Sequence, residues 1–126
     1  MRARSYTIFA TFALLALGGC GSPPAAAVSD PNLAKSTLTK VLDSWKNGDA
    51  FDALAKASPV IYVADQDWQG GAKLESYTIE SSDTMSDTSL QCPVSLKLKD
   101  AKGKPVVRTA IYAVTTTPVL RVDRHD

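Results

Sequence analysis

The chain has 126 residues, 44% of them hydrophobic and 21% charged, a composition typical of a globular protein and unlike disordered or collagen-like chains. Its formal net charge is +1, and two positive charges, Arg2 and Arg4, precede residue 20. The near-neutral remainder lacks the basic excess that nucleic-acid binding requires, so no nucleic acid is expected as a partner. A single histidine and two cysteines exclude most metal cages, histidine-based triads and disulfide frameworks.

The N-terminus has the three parts of a secretory signal peptide. Arg2 and Arg4 form a basic start, residues 6–17 form an apolar run, and small residues follow. A membrane-spanning helix needs about 20 apolar residues. The glycines and prolines of residues 18–24 end the run well short of that length. We therefore predict residues 1–19 as a removable export signal.

The motif Leu17-Gly18-Gly19-Cys20 resembles the lipobox of bacterial lipoproteins. The resemblance implies that Cys20 receives a diacylglyceryl group on its sulfur and an acyl chain on its new amine, and two or three chains give stable anchoring. Gly21 in place of Asp implies the outer membrane in a host with two membranes, and otherwise the cell membrane. Residues 20–30 are predicted to be the lipidated cysteine and a flexible tether rich in Ala and Pro. An unmodified Cys20 is the alternative.

Helical signals begin at Asp30-Pro31, a capping residue followed by proline at the first helical position. An apolar stripe at helical spacing predicts a first helix that ends at Asn47-Gly48; its members are Leu38, Val41, Leu42 and Trp45. A second, short helix is predicted between Asp49 and Pro59.

After Pro59 the apolar period changes to two, which predicts strands. The predicted strands cover residues 60–63, 73–81, 90–99, 106–116 and 119–122, the last as an edge strand after Pro118. Residues 65–71 are predicted to be a polar loop and residues 82–89 a polar turn. Residues 100–104 predict a hairpin turn in which Gly103 has a positive φ.

This order of elements resembles that of small NTF2-like (cystatin-like, SnoaL-like) proteins, which include secreted bacterial lipoproteins. The resemblance covers residues 31–123 and includes the motifs Trp45-Lys46-Asn47-Gly48 and Asp67-Trp68-Gln69-Gly70. The resemblance and the pattern predict one α+β domain over residues 31–126, an N-terminal helix plus a short second helix packed on a curved antiparallel sheet of about four or five strands. The family usually has a further helix after the first strand, where we expect only a loop.

Four residues are candidates for ligand binding. Trp68 is predicted to be an exposed indole in a polar loop, Tyr62 and Tyr112 lie on strands, and Asp65 faces the mouth of the expected cone. Core packing is the alternative for the aromatic residues. NTF2-like isomerases and dehydratases place carboxylates and tyrosines inside the cone, so Asp65 with a tyrosine defines an enzyme alternative. No residue matches an enzyme motif, and no catalytic residue, metal site or cofactor is predicted.

Three other residue types carry weaker expectations. His125 is predicted to be a solvated tail residue. Cys92 is predicted to be a buried small hydrophobe, with a reactive thiol as the alternative. The aspartates of residues 65–87 are predicted to be turn residues and not calcium ligands, because they lack the spacing of a calcium loop.

The leading prediction is a non-catalytic envelope lipoprotein whose domain binds a protein partner, a small apolar ligand or a second copy of itself through the outer face of the sheet. Residues 108–117 motivate this prediction. Their strand is apolar on both faces, so burial of both faces against other groups is favourable. The alternatives are a small isomerase or dehydratase, and an assembly accessory that offers residues 119–122 to a partner by strand addition.

Overall fold

The computed structural model describes residues 28–125. The predicted signal peptide of residues 1–19, the lipidation site Cys20 and most of the tether lie outside the described residues. Within them, no helix is long and apolar enough to cross a membrane.

The first helix, α1, spans Pro31–Lys46, as predicted. The Asp30 side chain caps it by accepting hydrogen bonds from the backbone N–H groups of Asn32 and Leu33. Its apolar stripe is buried against the sheet, and Gly48, with φ of +88°, turns the chain away from the last turn. The predicted second helix is reduced to a single 3₁₀ turn at Ala53–Lys56.

Six strands form one curved, half-barrel sheet: β1 Ile61–Ala64, β2 Lys73–Ile79, β3 Thr84–Ser86, β4 Ser89–Lys99, β5 Pro105–Thr115 and β6 Leu120–His125. The spatial order is β1-β6-β5-β4-β2, and β3 pairs with β4 as well. The α+β class is confirmed. The prediction of a purely antiparallel sheet is wrong, because β1 pairs in parallel with β6.

The prediction that residues 119–122 form an edge strand is also wrong. Strand β6 is paired on both sides, with β1 and with β5, and it extends through His125. The pairing with β1 joins segments about sixty residues apart, which local sequence patterns do not encode. A strand inside the sheet has no free backbone edge to lend to a partner.

Two segments predicted to be irregular contain short regular elements. Residues 65–71 include a one-turn helix, α2, at Gln66–Gln69, and residues 82–89 include β3. Strand β3 forms because the chain after β2 continues along the same side of β4, where the backbone of β4 is available for pairing. Helix α2 lies between β1 and β2, where the sequence predicts only a loop.

The hydrophobic core lies between α1 and the inner face of the sheet. Strand β4 shows the alternation that its sequence predicts: Val94, Leu96 and Leu98 are buried, whereas Lys97 and Lys99 are exposed. The hairpin from β4 to β5 also forms as predicted, with Gly103 at φ of +82°. The sequence pattern therefore predicts the faces of β4 and the turn of this central hairpin correctly.

Candidate functional site

Asp65, a predicted site residue, lies at the end of β1 and caps the short helix α2. One carboxylate oxygen accepts hydrogen bonds from the backbone N–H groups of Asp67 at 3.0 Å and Trp68 at 3.3 Å. The other accepts the hydroxyl of Tyr112, a second predicted site residue, at 2.5 Å. Asp65 is 2% exposed and Tyr112 is fully buried. The structure thus brings two of the four candidate residues into direct contact.

Two arginines complete this buried cluster. Arg124 donates through Nη1 to Asp65 at 3.1 Å and to Asp67 at 2.5 Å, and its side chain is only 2% exposed. Arg108 reaches the same Asp67 oxygen from β5, with Nε at 3.2 Å, from a half-exposed position. Two carboxylates and two guanidinium groups balance in charge, as buried charges must to offset their desolvation. We call these four residues with Tyr112 the Asp65 cluster.

The Asp65 cluster joins elements that are distant in sequence. Asp65 follows β1, Asp67 lies in α2, Arg108 and Tyr112 lie on β5, and Arg124 lies on β6. Opposed residues of antiparallel strands share a face, and the register pairs Tyr112 with Arg124. The cluster therefore fastens α2 onto the inner face of the sheet.

The geometry of Asp65 does not suit a catalytic base. A carboxylate has about four acceptor positions, and Asp65 receives hydrogen bonds from two backbone N–H groups, one hydroxyl and one guanidinium. Three of these donors bind Oδ1 and the Tyr112 hydroxyl binds Oδ2, and with Asp65 only 2% exposed a substrate has little access to either oxygen. Throughout residues 28–125, every buried side-chain nitrogen and oxygen has a hydrogen-bond partner. These contacts favour a structural role for the cluster over the acid–base role of the enzyme alternative.

Trp68 is buried, at 6% exposure, so the prediction of an exposed indole is wrong. Its ring stacks on Trp45 of α1, and its Nε1–H donates to the backbone carbonyl of Asp49 at 3.0 Å. The Nε1–H of Trp45 donates to the carbonyl of Ala72 at 2.9 Å. Local sequence suggested exposure because the neighbours of Trp68 are polar, but helix α2 turns the indole inward.

A cleft of about 290 Å³ lies beside the two indoles, lined also by Phe51, Asp49 and Lys73. The lining of this cleft is more apolar than polar, although both indoles are almost wholly buried. Tyr62, the fourth candidate, lies away from the Asp65 cluster on β1, half-exposed, and lines a separate cleft of about 230 Å³ with Phe51 and Arg121. The four predicted residues therefore do not form one pocket.

The outer face of the sheet, turned away from α1, carries exposed apolar side chains on its central strand β5. Val107 is 75% exposed and Ile111 is 43% exposed, whereas Ala113 on the same face is only 6% exposed. Tyr62 on β1 lies on this face too. It pairs with Arg121 of β6, which pairs with Thr115 of β5, and paired residues of adjacent strands share a face. We call Tyr62, Val107, Ile111 and Ala113 the outer apolar strip.

Cys92 on β4 is a fully buried free thiol. Burial raises the pKa of Cys92 to about 11, and the negative charge of Asp83 adds to the effect. A thiol with so high a pKa is protonated near neutral pH and is a poor nucleophile.

On strand β2, the hydroxyl of Tyr77 donates to Asp43 of α1 at 2.6 Å, and burial together with this bond raises the pKa of Tyr77 to about 12.

No group of three or more His, Cys, Asp or Glu side chains that could hold a metal ion occurs among residues 28–125. His125 is exposed, but it lies within β6 and not in a frayed tail.

No protein-family model, no curated protein and no solved structure matches this chain.

Sequence reasoning missed the two arginines of the cluster. In the sequence, Arg121, Asp123 and Arg124 look like charges that protect an edge strand from pairing, yet the side chain of Arg124 is only 2% exposed. One signal was available in the sequence: Val122 and Arg124 share one face of a strand, and Val122 is a core residue. A charged side chain that continues the buried, apolar face of a strand needs an opposite charge nearby, so it indicates a buried ion pair.

Proposed function

We propose that the protein is an exported, lipid-anchored binding module of the cell envelope. In this proposal the chain is anchored through acyl chains on Cys20, and its NTF2-like domain acts without catalysis, by contact through the outer apolar strip. The single observation that carries the proposal is the contrast between the two faces of the sheet. The inner face is filled by core side chains and the saturated Asp65 cluster, whereas the outer face exposes Val107 and Ile111.

Covering an exposed apolar strand face lowers the free energy of the system. Removing apolar surface from water yields about 25 cal/mol per Å². The resemblance to NTF2-like domains implies that a second copy of the chain can provide the cover, because such domains commonly pair through the sheet. A protein partner of complementary shape would use the same strip, and a small apolar ligand would use the clefts.

The oligomeric state tests the binding surface. We expect native mass spectrometry of the protein from an envelope extract to show a dimer or a complex, and Ile111→Arg to dissociate it. Ser36→Arg, at an exposed position of α1 on the other side of the sheet from the strip, is the matched control and should leave the assembly intact. A bare monomer at high concentration, with no crosslink from residue 111 in intact cells, would contradict the proposed surface.

The anchor is tested separately with an alkyne-tagged fatty acid supplied to growing cells. We expect the label in the wild-type protein and in Cys92→Ala, and its loss in Cys20→Ser. The two cysteines serve as each other's control, since only Cys20 lies in the lipobox-like motif. Labelling of the Cys20→Ser variant would disprove anchoring at this residue.

A further inference from the structure

The start of the described chain is fastened to one end of the domain. The Ser29 backbone N–H donates to the carbonyl of Thr88 at 3.2 Å, and the Ser29 hydroxyl donates to the same carbonyl. The backbone N–H of Thr116 donates back to the Ser29 hydroxyl at 2.9 Å, and Asp30 N–H donates to the Thr116 hydroxyl at 3.0 Å. Ser29 is 2% exposed. These bonds determine the end of the domain at which the tether arrives.

Exposed apolar side chains gather at this same end. Val28 precedes Ser29 and is 60% exposed, and Leu33 lies in the first turn of α1. Val60 and Val119 immediately precede the register pair Ile61 and Leu120, so they lie side by side. Met85 is in β3, next to the turn that holds Thr88. Among residues 28–125, nine large apolar residues are exposed, and five of them lie here: Val28, Leu33, Val60, Met85 and Val119. We call them the apolar end.

The charges at the apolar end exclude an electrostatic attraction to anionic surfaces. Asp30 and Asp87 are exposed there, and the nearby Lys35 is paired with Asp83 at 2.9 Å. This end therefore has a negative balance. An anionic surface is therefore disfavoured, and the exposed apolar side chains favour an apolar, uncharged surface.

The length of chain before Ser29 limits where the apolar end can lie. Nine residue steps separate Cys20 from Ser29. Since an extended chain covers at most about 3.5 Å per residue, Ser29 stays within roughly 30 Å of Cys20. The hairpin turn at Gly103 lies at the opposite end of strands β4 and β5, whose eleven residues span roughly 30 Å more.

We propose that the apolar end docks on the lipid bilayer, so that the domain stands with α1 starting at the membrane and the Gly103 hairpin pointing away. The proposal rests on the proposed anchor at Cys20. It commits to an uncharged bilayer surface as the occupant, because apolar contact and not charge provides the attraction. In this orientation the cleft beside Trp45, in the last turn of α1, and Val107, near the Gly103 hairpin, lie away from the bilayer.

The test uses the full acylated protein, reconstituted in phosphatidylcholine vesicles that carry a nitroxide quencher on their acyl chains. A thiol-reactive fluorophore is attached to Val119→Cys at the apolar end or, as the control, to Lys102→Cys in the distal hairpin. The buried Cys92 does not react in the folded protein. We expect fluorescence at position 119 to be quenched several-fold more strongly than at position 102.

Substitutions then test the apolar contact itself. Val28→Asp with Val60→Asp should reduce the quenching at position 119 to the level of position 102, whereas Val107→Asp, an exposed valine of the outer apolar strip, should leave it unchanged. Adding anionic lipid should weaken the quenching because Asp30 and Asp87 are repelled. Circular dichroism confirms that each variant is folded.

The two proposals fail in distinguishable ways. A protein that does not float with the vesicles disproves the anchor and removes the basis of the docking. A protein that floats, but shows equal quenching at positions 119 and 102, keeps the anchor and overturns the docking. Quenching at position 119 that persists in the Val28 and Val60 variant also overturns it.

Discussion

The indole rings of Trp45 and Trp68 stack with their centroids 5.6 Å apart and their planes inclined by 13°. Trp45 lies in the last turn of helix α1 and Trp68 lies in the one-turn helix α2, so the stack joins these two elements. Stacked aromatic pairs add about 0.5–1.5 kcal/mol beyond the area that they bury. The contact explains why a tryptophan with polar neighbours in the sequence belongs to the core.

The first prediction concerns the stability that this stack contributes. Trp68→Ala should lower the free energy of unfolding by about 3–5 kcal/mol, since it leaves a cavity and an unstacked Trp45. Urea titration followed by circular dichroism measures the change. Tyr62→Ala, a half-exposed aromatic on β1, is the control and should change stability by less than about 1 kcal/mol. Equal effects of the two substitutions would contradict the buried position of Trp68.

The second prediction compares two Arg–Asp pairs of different burial. Asp65→Asn leaves the guanidinium of Arg124 buried with less compensation and should cost about 3 kcal/mol or more. Asp123→Asn removes the carboxylate from the exposed pair with Arg121 and should cost below about 1 kcal/mol. The same urea titration compares them. A marginal cost for Asp65→Asn would show that water reaches the Asp65 cluster.

The third prediction isolates the hydroxyl of Tyr112. Tyr112→Phe removes a donor to the buried Asp65 carboxylate and should cost about 1.5–3 kcal/mol, as expected for a hydrogen bond to a charged group. Tyr77→Phe removes a donor to Asp43 at a more accessible site and should cost about 1 kcal/mol or less. Thermal unfolding of both variants ranks the two bonds. The reverse order would place Tyr77, and not Tyr112, at the more buried site.

The fourth prediction is a loss of stability at alkaline pH through Cys92. Its pKa is raised from 9.0 to about 11 in the folded protein. Below pH 9 the thiol is protonated in both states, so its contribution is fully present. Between pH 9 and pH 11 the unfolded chain releases the proton while the folded chain keeps it, so the free energy of unfolding falls, by at most about 3 kcal/mol.

The control for this pH dependence is Cys92→Ala in a Tyr77→Phe background. The Tyr77 substitution is needed because the raised pKa of Tyr77 produces a loss of the same sign at higher pH. Urea titrations at pH 8 and pH 11 should show a smaller decline when Cys92 is absent. An unchanged decline would mean that the buried thiol does not control it.

Local sequence patterns predict a structural element correctly when the interactions that form it are between residues close together in the chain. Asp30-Pro31 and Gly48 delimit α1, the alternation in β4 separates its two faces, and Gly103 forms the hairpin turn, all as predicted. Each of these depends on residues within a few positions of one another, through a cap, a period or a preferred φ. The export motif around Cys20 is likewise local, and its role stays a prediction.

Only the tertiary structure decided what depends on contacts between distant segments. The parallel pairing of β1 with β6 moved residues 119–122 from the edge to the interior, and it gave the buried Arg124 its partner Asp65. Helix α2 turned Trp68 onto Trp45 across 23 residues of chain. Hydrophobic and ionic contacts of this kind have no local period, because the chain must first close a long loop before the two sides meet.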